Sequence, residues 1–494
     1  MLFKISTRLL FILSSWVCSV TAQTLVVKDV TTVTPKMNGI VTTQTRQWIK
    51  IVDGRITKIS SEPIATSDDS QLINGTGKYL IPGLMDSHVH TQTMPGLNWS
   101  KPLIKLQQAF MRQQPRSYLY YGVTQILDPS LTAHAVKAFE HAPLNPDIFF
   151  CGAAPIVGGY NLLGASFKQA IARRPYFIHR PDKDGEPPEG FKPENHTPEA
   201  VVKRMKQDGA RCIKVYVEDG FDLNSGWPMI SLDLLKRVRH AASEHGLLVM
   251  AHANALDMQE IALEADVDVL AHGMWNWLNE HSIGGLPKPI QEIADEIVKT
   301  NTAYQPTLNV MRSLRDVNVK DHLLIGGYSK VVPQEILDWY HTEQGHWFAQ
   351  EMRQGWGTDD LNLITRRQTQ VLQQGERVLA YLYQKGHPML LATDTPPAPT
   401  YASQPGISAY MELQAMHEVG ITLPDLLKAA TLNNALTFGI EQDYGSVEVG
   451  KVANLLLLDE DPLESVEAYD SIDTVILHGN PIARESLQAN KIQH

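Results

Sequence analysis

Three cysteines in 494 residues, none in a CxxC pair, argue against a thiolate zinc site and against a disulfide framework. Basic runs are missing too. Lys and Arg number 43 against 54 Asp and Glu, and no stretch concentrates the positive charge that grips nucleic acid. Beyond the first two dozen positions, no apolar run approaches the length needed to cross a ~30 Å hydrocarbon layer. The chain has no G-x-S-x-G elbow and no G-x-G-x-x-G fingerprint, which disfavours a serine hydrolase of that type and a dinucleotide enzyme. One near-match to a phosphate loop, Gly445 to Lys451, fails at Val452, where a Ser or Thr should hold magnesium, and no helix pattern follows it. What remains is an ordinary globular composition, 43% hydrophobic and 20% charged with a formal net charge of −11. Such a chain needs no covalent staples to bury a large core.

The N-terminus reads as a leader. Lys4 and Arg8 precede the apolar stretch Leu9 to Val20, and Val20-Thr21-Ala22 supplies small residues before a cut. A signal peptide over 1–22 implies an exported protein, periplasmic or secreted, with no membrane attachment after the leader is removed. Cys18 leaves with it. Cys151 and Cys212 sit in apolar strand-like runs and read as buried thiols, although an oxidising compartment would permit them to pair.

Two kinds of sequence alternate along the rest of the chain. Near the start, Gln47 to Val52 and Arg55 to Ile59 flank an Asp53-Gly54 turn, a hairpin signature. Apolar strands recur at the far end, at Asn454 to Leu458 and Thr474 to His478. Neither end carries enough strands for a stable sheet, so the two are expected to pack as one composite β-sandwich domain from 23–84 and 438–494. Between them, strands at Gly122 to Leu127, Ile148 to Cys151, Arg211 to Val217, Leu247 to Ala251, Val267 to Ala271 and Met389 to Ala392 alternate with helical patterns. Repeated βα units favour a parallel sheet, and the expected fold class is α/β, a (β/α)8 TIM-like barrel over 85–437. A long Trp-rich helical stretch at about 332–385 interrupts the rhythm and is expected as an inserted lid, or as an extra outer helix layer.

The chemistry centres on Pro82-Gly83-Leu84-Met85-Asp86-Ser87-His88-Val89-His90. Alternation along a strand points His88 and His90 the same way, where two imidazoles can bind one divalent ion; two hydrogen-bonded histidines are the plainer alternative. Four more polar residues stand at or near the carboxyl ends of expected strands, where barrel enzymes place their catalytic groups. They are Lys214, His252, His272 and Asp394. Lys214 shares a strand face with Cys212 and Tyr216, and a buried, unpaired ammonium there would be costly; a lysine lying beyond the strand end in solvent is the plainer alternative. Imidazole nitrogen and carboxylate oxygen suit zinc or a similar divalent ion.

In this ordered set the sequence resembles the amidohydrolase superfamily, in particular its secreted imidazolonepropionase-like and prolidase-like members. The likeness runs through Asp425 to Ala435 and the closing stretch Gly445 to Leu455. It implies that His88 and His90 bind the more buried of two divalent metal ions, with zinc the first expectation. Lys214, carboxylated by carbon dioxide to a carbamate, would bridge the two ions. His252 and His272 would hold the second, and Asp394 would ligate the first and act as general base.

The sequence departs from these relatives where substrate is chosen. Tyr160 follows a Gly pair where many relatives carry His, and Trp275 and Trp277 follow His272, sharing one face if extended. Together with Tyr216 these aromatics are candidate substrate contacts; packing under the inserted helices is the alternative. The reading is a binuclear amidohydrolase that cleaves the amide of a small dipeptide-like or N-acyl substrate through a metal-bound hydroxide. A mononuclear cyclic-amide hydrolase or deaminase, a lactone or ester hydrolase, and a binding protein on a decayed barrel are the rivals. The partner expected is a small-molecule amide or dipeptide and not nucleic acid, with a homo-oligomer left open.

Overall fold

The computed structural model describes residues 24–97, 103–221, 226–318, 323, 327–397 and 399–491. The expected leader, residues 1–22, lies outside the described residues. The chain enters through β1 (Thr24–Pro35), β2 (Val41–Val52), β3 (Arg55–Ser60), β4 (Gln71–Asn74) and β5 (Tyr79–Pro82). The β2–β3 hairpin forms at the Asp-Gly turn, with Asp53 and Gly54 both at positive φ, 49° and 77°. Along β2, Ile49 and Ile51 face inward while Trp48 and Lys50 are half-exposed, the alternation of a strand with one covered face.

The barrel begins one residue later. Gly83 joins β5 to the first barrel strand, and a Cβ there would lie 1.9 Å from the Thr124 hydroxyl, so only glycine lets the chain pass this close. Seven strands then pair in parallel in chain order: β6 (Leu84–Asp86), β7 (Val123–Asp128), β8 (Asp147–Ala153), β9 (Cys212–Tyr216), β10 (Leu248–His252), β11 (Val269–Ala271) and β12 (Ala303–Gln305). The segment 389–395 bridges both free edges, pairing Met389 with Tyr304 and Thr395 with Val89, and so completes an eight-membered ring. Asn434 clamps this seam, its amide donating to the carbonyls of Met85 at 2.8 Å and Leu391 at 2.9 Å.

Helices cover the outside because each presents one apolar stripe. The helix Leu232–Glu244, capped by Ser231, buries Leu235, Val238, Ala241 and Ala242. Strands buried on both faces need apolar residues on both, and β9 divides them accordingly. Ile213 and Val215 join the core under the helices, whereas Cys212 joins Met85, Leu127, Met250 and Val269 inside the ring, with Phe438 and Ile440 packed against them. Within the ring the structure corrects one expectation: Cys151 and Cys212 form a disulfide. The register of β8 against β9 sets the two residues directly opposite each other, which the sequence does not display.

The chain ends return as β13 (Leu455–Leu458), β14 (Ile472–Leu477) and β15 (Asn480–Ala483) and join β1–β5 in one eight-stranded sheet, β13 pairing antiparallel with β5. In the stretch 332–385, Tyr340 donates to Pro95 O at 2.7 Å and the Trp347 indole N–H to Gly96 O at 2.8 Å, fastening two short helices to the loop after His90. The longer helix Leu361–Gln384 lies with the outer helix layer, contributing Leu372, Val378, Leu379 and Leu382 to the main core.

Asp147 ties the end sheet to the barrel. At the start of β8 it accepts from Tyr444 Oη at 2.9 Å, Asn454 Nδ2 at 2.7 Å and His478 Nε2 at 2.8 Å. An Asp at position 454 would repel it, which accounts for the Asn found there. The bond to Asp147 raises the His478 pKa against the opposing effect of burial. A raised folded-state pKa contributes stability that is complete below the unfolded value of about 6.5 and is lost as pH rises through the folded value. The difference in melting temperature between wild type and His478→Ala is therefore expected to be largest below about pH 6.5 and to shrink towards pH 9. A pH series of thermal melts reads this directly, and a difference that grows with pH would contradict it.

Candidate metal centre

Six polar side chains from five segments of the barrel, His88 and His90 sharing one, meet inside the ring. His88 and His90 follow β6 in a segment stitched on both sides: Val89 N donates to Leu127 O at 3.0 Å, Asp394 N to His88 O at 2.7 Å and His90 N to Thr395 O at 2.8 Å. That stitching brings His88 Nε2 to 3.2 Å and His90 Nε2 to 2.9 Å from Asp394 Oδ1. His272 Nδ1 approaches Asp394 Oδ2 at 3.5 Å. One ligand atom each from His88, His90 and Asp394 lies within 4.8 Å of the others, a spacing one ion could bridge. His252 stands beside His272, ring centroids 4.6 Å apart. His272 and Asp394 both hold positive φ, 82° and 55°, as does Thr307 at 44° beside them, so backbone strain is concentrated at the site.

A second set of residues orients these rings. Gln305 donates from Nε2 to Ser87 O at 2.9 Å, which fixes its amide and makes Oε1 the acceptor from His88 Nδ1 at 2.9 Å. The lone pair on His88 Nε2 then faces the site. Glu218 does the same for His252 through a 2.9 Å contact to Nε2, its other oxygen accepting from Gly220 N at 2.8 Å. Ser130 Oγ lies 3.3 Å from His90 Nδ1. Asp86 accepts from Thr393 Oγ1 at 2.6 Å, Thr393 N at 3.0 Å and His88 N at 3.2 Å, bracing the two ligand-bearing segments against each other. None of these four was singled out in the sequence. Asp86 and Glu218 were accessible to the same reasoning, since alternation places Asp86 with His88 and His90, and Glu218 with Lys214 and Tyr216.

The electrostatics favour ligands poised to bind a cation. Burial pulls the His88 and His272 imidazoles far below their ordinary pKa, with the Asp394 carboxylate pulling the other way. Burial alone would raise Asp394, but His272, His88 and His90 outweigh it and keep the carboxyl ionised well below the usual range. Burial pushes Asp86 up to about 7. Lys214 is 2% exposed, its Nζ has no hydrogen-bond partner among the described residues, and burial pulls its pKa down to about 7. Imidazoles, a carboxylate and an orphaned amine form a donor set that fits divalent ions.

The four aromatic candidates separate. Tyr160 lies over His252 with centroids 4.7 Å apart, and Tyr216, its hydroxyl accepting from Asn161 Nδ2 at 2.8 Å, stands 5.7 Å from Tyr160. Trp275 stands 5.7 Å from the His272 ring. Trp277 is set in the core instead. It is 1% exposed in the main core, donates to Met274 O at 3.2 Å and lies under the Arg377 guanidinium.

Trp275 is held by a notch in the helix Leu361–Gln384: a Cβ on Gly375 would meet its Cδ1 at 2.6 Å. Gly→Ala inside a helix ordinarily gains about 1 kcal/mol. Here Gly375→Ala is expected instead to lose about 1–3 kcal/mol by overpacking. Adding Trp275→Leu should recover part of that loss, and thermal melts of the single and double variants would show it.

The sequence matches the amidohydrolase family model over residues 79–482. A solved Xaa-Pro dipeptidase with methionine bound in its active site superimposes with a TM-score of 0.64 at 21% identity, over 93% of this chain and 100% of its own. A prolidase complexed with N-methylphosphonate-L-proline gives 0.67 at 17% identity, over 93% and 100%. The A. niger ochratoxinase gives 0.62 at 17% identity, over 93% and 95%. At such identities the likeness to these structures establishes a shared fold. No curated protein matches the sequence.

Proposed function

The chain belongs to the amidohydrolase family and is a metal-dependent hydrolase of carbon–nitrogen bonds, and from that premise we propose that it is an exported binuclear enzyme cleaving the amide bond of a small dipeptide-like or N-acyl substrate. The observation that carries the binuclear reading is Lys214. A fully buried amine without a hydrogen-bond partner, set among three histidines and a carboxylate, has no structural explanation as an ammonium. As a neutral amine it can add to carbon dioxide, forming an N–C bond and releasing one proton to leave a carbamate anion. His88, His90 and Asp394 would hold one ion and His252 and His272 the other, with the Lys214 carbamate shared between them.

Divalent ions held there would lower the pKa of a bound water and polarise the substrate carbonyl. The chain supplies the rest. Asp394, ionised and flanked by His88 and His90, can accept a proton at a carboxylate oxygen and return it to the departing amine nitrogen. Tyr160 and Tyr216 limit the space above His252. The prolidase and Xaa-Pro dipeptidase among the similar structures support dipeptides as the first substrates to try. Export is supported by the leader-like residues 1–22 and by the Cys151–Cys212 disulfide, since such bonds persist in oxidising compartments.

Elemental analysis of protein purified without chelator tests the centre. About two equivalents of a divalent ion per chain are expected in wild type; Lys214→Ala should retain fewer and lose activity by about a hundredfold. In a sample prepared in carbon-13 bicarbonate, wild type should show a carbamate carbonyl resonance that the variant lacks. One equivalent that survives the substitution would move the assignment to the mononuclear cyclic-amide hydrolase or deaminase.

A further inference from the structure

Beyond the ligands, the loop that leaves β9 puts two aromatics where the site opens. Trp227 lies parallel to Tyr160, centroids 5.9 Å apart and 11° between planes. Phe221 stands perpendicular to both, 5.5 Å from Tyr160 and 5.3 Å from Trp227 at 85° and 84°. The loop ends are tied by Trp227 N donating to Asp219 O at 2.7 Å. Tyr160 in turn packs on His252, so the cluster is continuous with the metal centre. Phe221 is 59% exposed, although its neighbours in the cluster are largely covered.

The spacing decides what this cluster can do. Two rings 5.9 Å apart leave no slot for a third between them, so a ligand must lie against the outside of the cluster, on the face that Phe221 leaves in water. We propose that Tyr160, Trp227 and Phe221 form a specificity wall, selecting substrates that carry an aromatic ring next to the scissile amide. This rests on the amide-hydrolase reading above and names the substrate class within it. A substrate ring covers the exposed Phe221 surface, and each ring already present offers an edge or a face for the stacked and perpendicular contacts that aromatic pairs favour beyond simple area burial. An aliphatic group of equal size gains the area term alone. Tyr160 connects Phe221 and Trp227 to His252.

The test compares kcat/KM for phenylalanyl-proline, cyclohexylalanyl-proline and alanyl-proline, and for N-acetylphenylalanine against N-acetylalanine, in wild type, Phe221→Ala and Trp227→Ala. In wild type the aromatic member of at least one set is expected to lead by about tenfold or more. That ratio should fall about tenfold in either variant, with metal content held at the wild-type value. Phe221→Leu, which keeps apolar area but no ring, should reduce the phenylalanyl-to-cyclohexylalanyl ratio in particular. Calorimetric binding of N-acetylphenylalaninamide against N-acetylalaninamide separates the two readings. An aromatic preference in binding that Phe221→Ala abolishes, without turnover of any dipeptide or N-acyl amino acid, would sustain the wall and overturn the amide substrate class. Equal ratios in wild type and variants would overturn the wall itself.

Discussion

A carboxylate and a lysine amine buried among imidazoles are the constraint around which this barrel is built. Each charged group removed from water carries a desolvation cost that grows with burial, and only well-placed partners offset it. Asp394 meets the cost through three histidine contacts. Lys214 has no such partners among the described residues, and that imbalance distinguishes the centre from an ordinary buried ion-pair network. Under the proposed binuclear reading, a cation and an anionic form of Lys214 would resolve it together.

The turning inward is the work of the closing seam. Residues 389–395 are held against the segment after β6 by backbone bonds, by Asp86 reaching across to Thr393, and by Asn434 beneath both. His88 and His90 come from one side of that seam and Asp394 from the other, so the spacing of the first candidate ion site equals the register of barrel closure. The glycine at position 83 belongs to the same economy, since it admits β6 to its place against β7. Positive φ at His272, Thr307 and Asp394 then aims side chains that regular strand ends would leave pointing elsewhere.

Much of this was legible in the sequence because barrel strands impose a period of two and an end. Alternation placed His88 with His90, and the carboxyl ends of apolar runs picked out His252, His272 and Asp394, with Lys214 inside its own run, all of which the fold brings to one mouth. Asp86 and Glu218 lie on the same alternating faces, but acidic residues near strand ends commonly serve as caps, so position alone does not mark them. Gln305 and the Cys151–Cys212 pairing belong to a different class. Gln305 meets Ser87 and His88 through barrel closure and Cys151 meets Cys212 through strand register, and no single segment encodes either. The Trp275 and Trp277 pair shows the complementary failure. One indole stands beside His272 and the other is set in the main core, so spacing in the segment did not by itself tell which aromatic reaches the site.

The division of labour that results explains why the ligand set and the aromatic surroundings read so differently. The candidate ligands sit on or just after barrel strands, where backbone hydrogen bonds fix their position. Tyr160, Phe221 and Trp227 lie on the connections after β8 and β9, where chain length and turn geometry decide what faces the opening. A substitution in such a connection changes which group is accommodated while leaving the closing seam untouched. A change at Asp86 or Gln305, by contrast, would disturb every reaction the site could perform. The exposed Phe221 ring is consistent with that separation: retained apolar surface at a site mouth costs little fold stability, and it is the part of the molecule freest to vary with substrate.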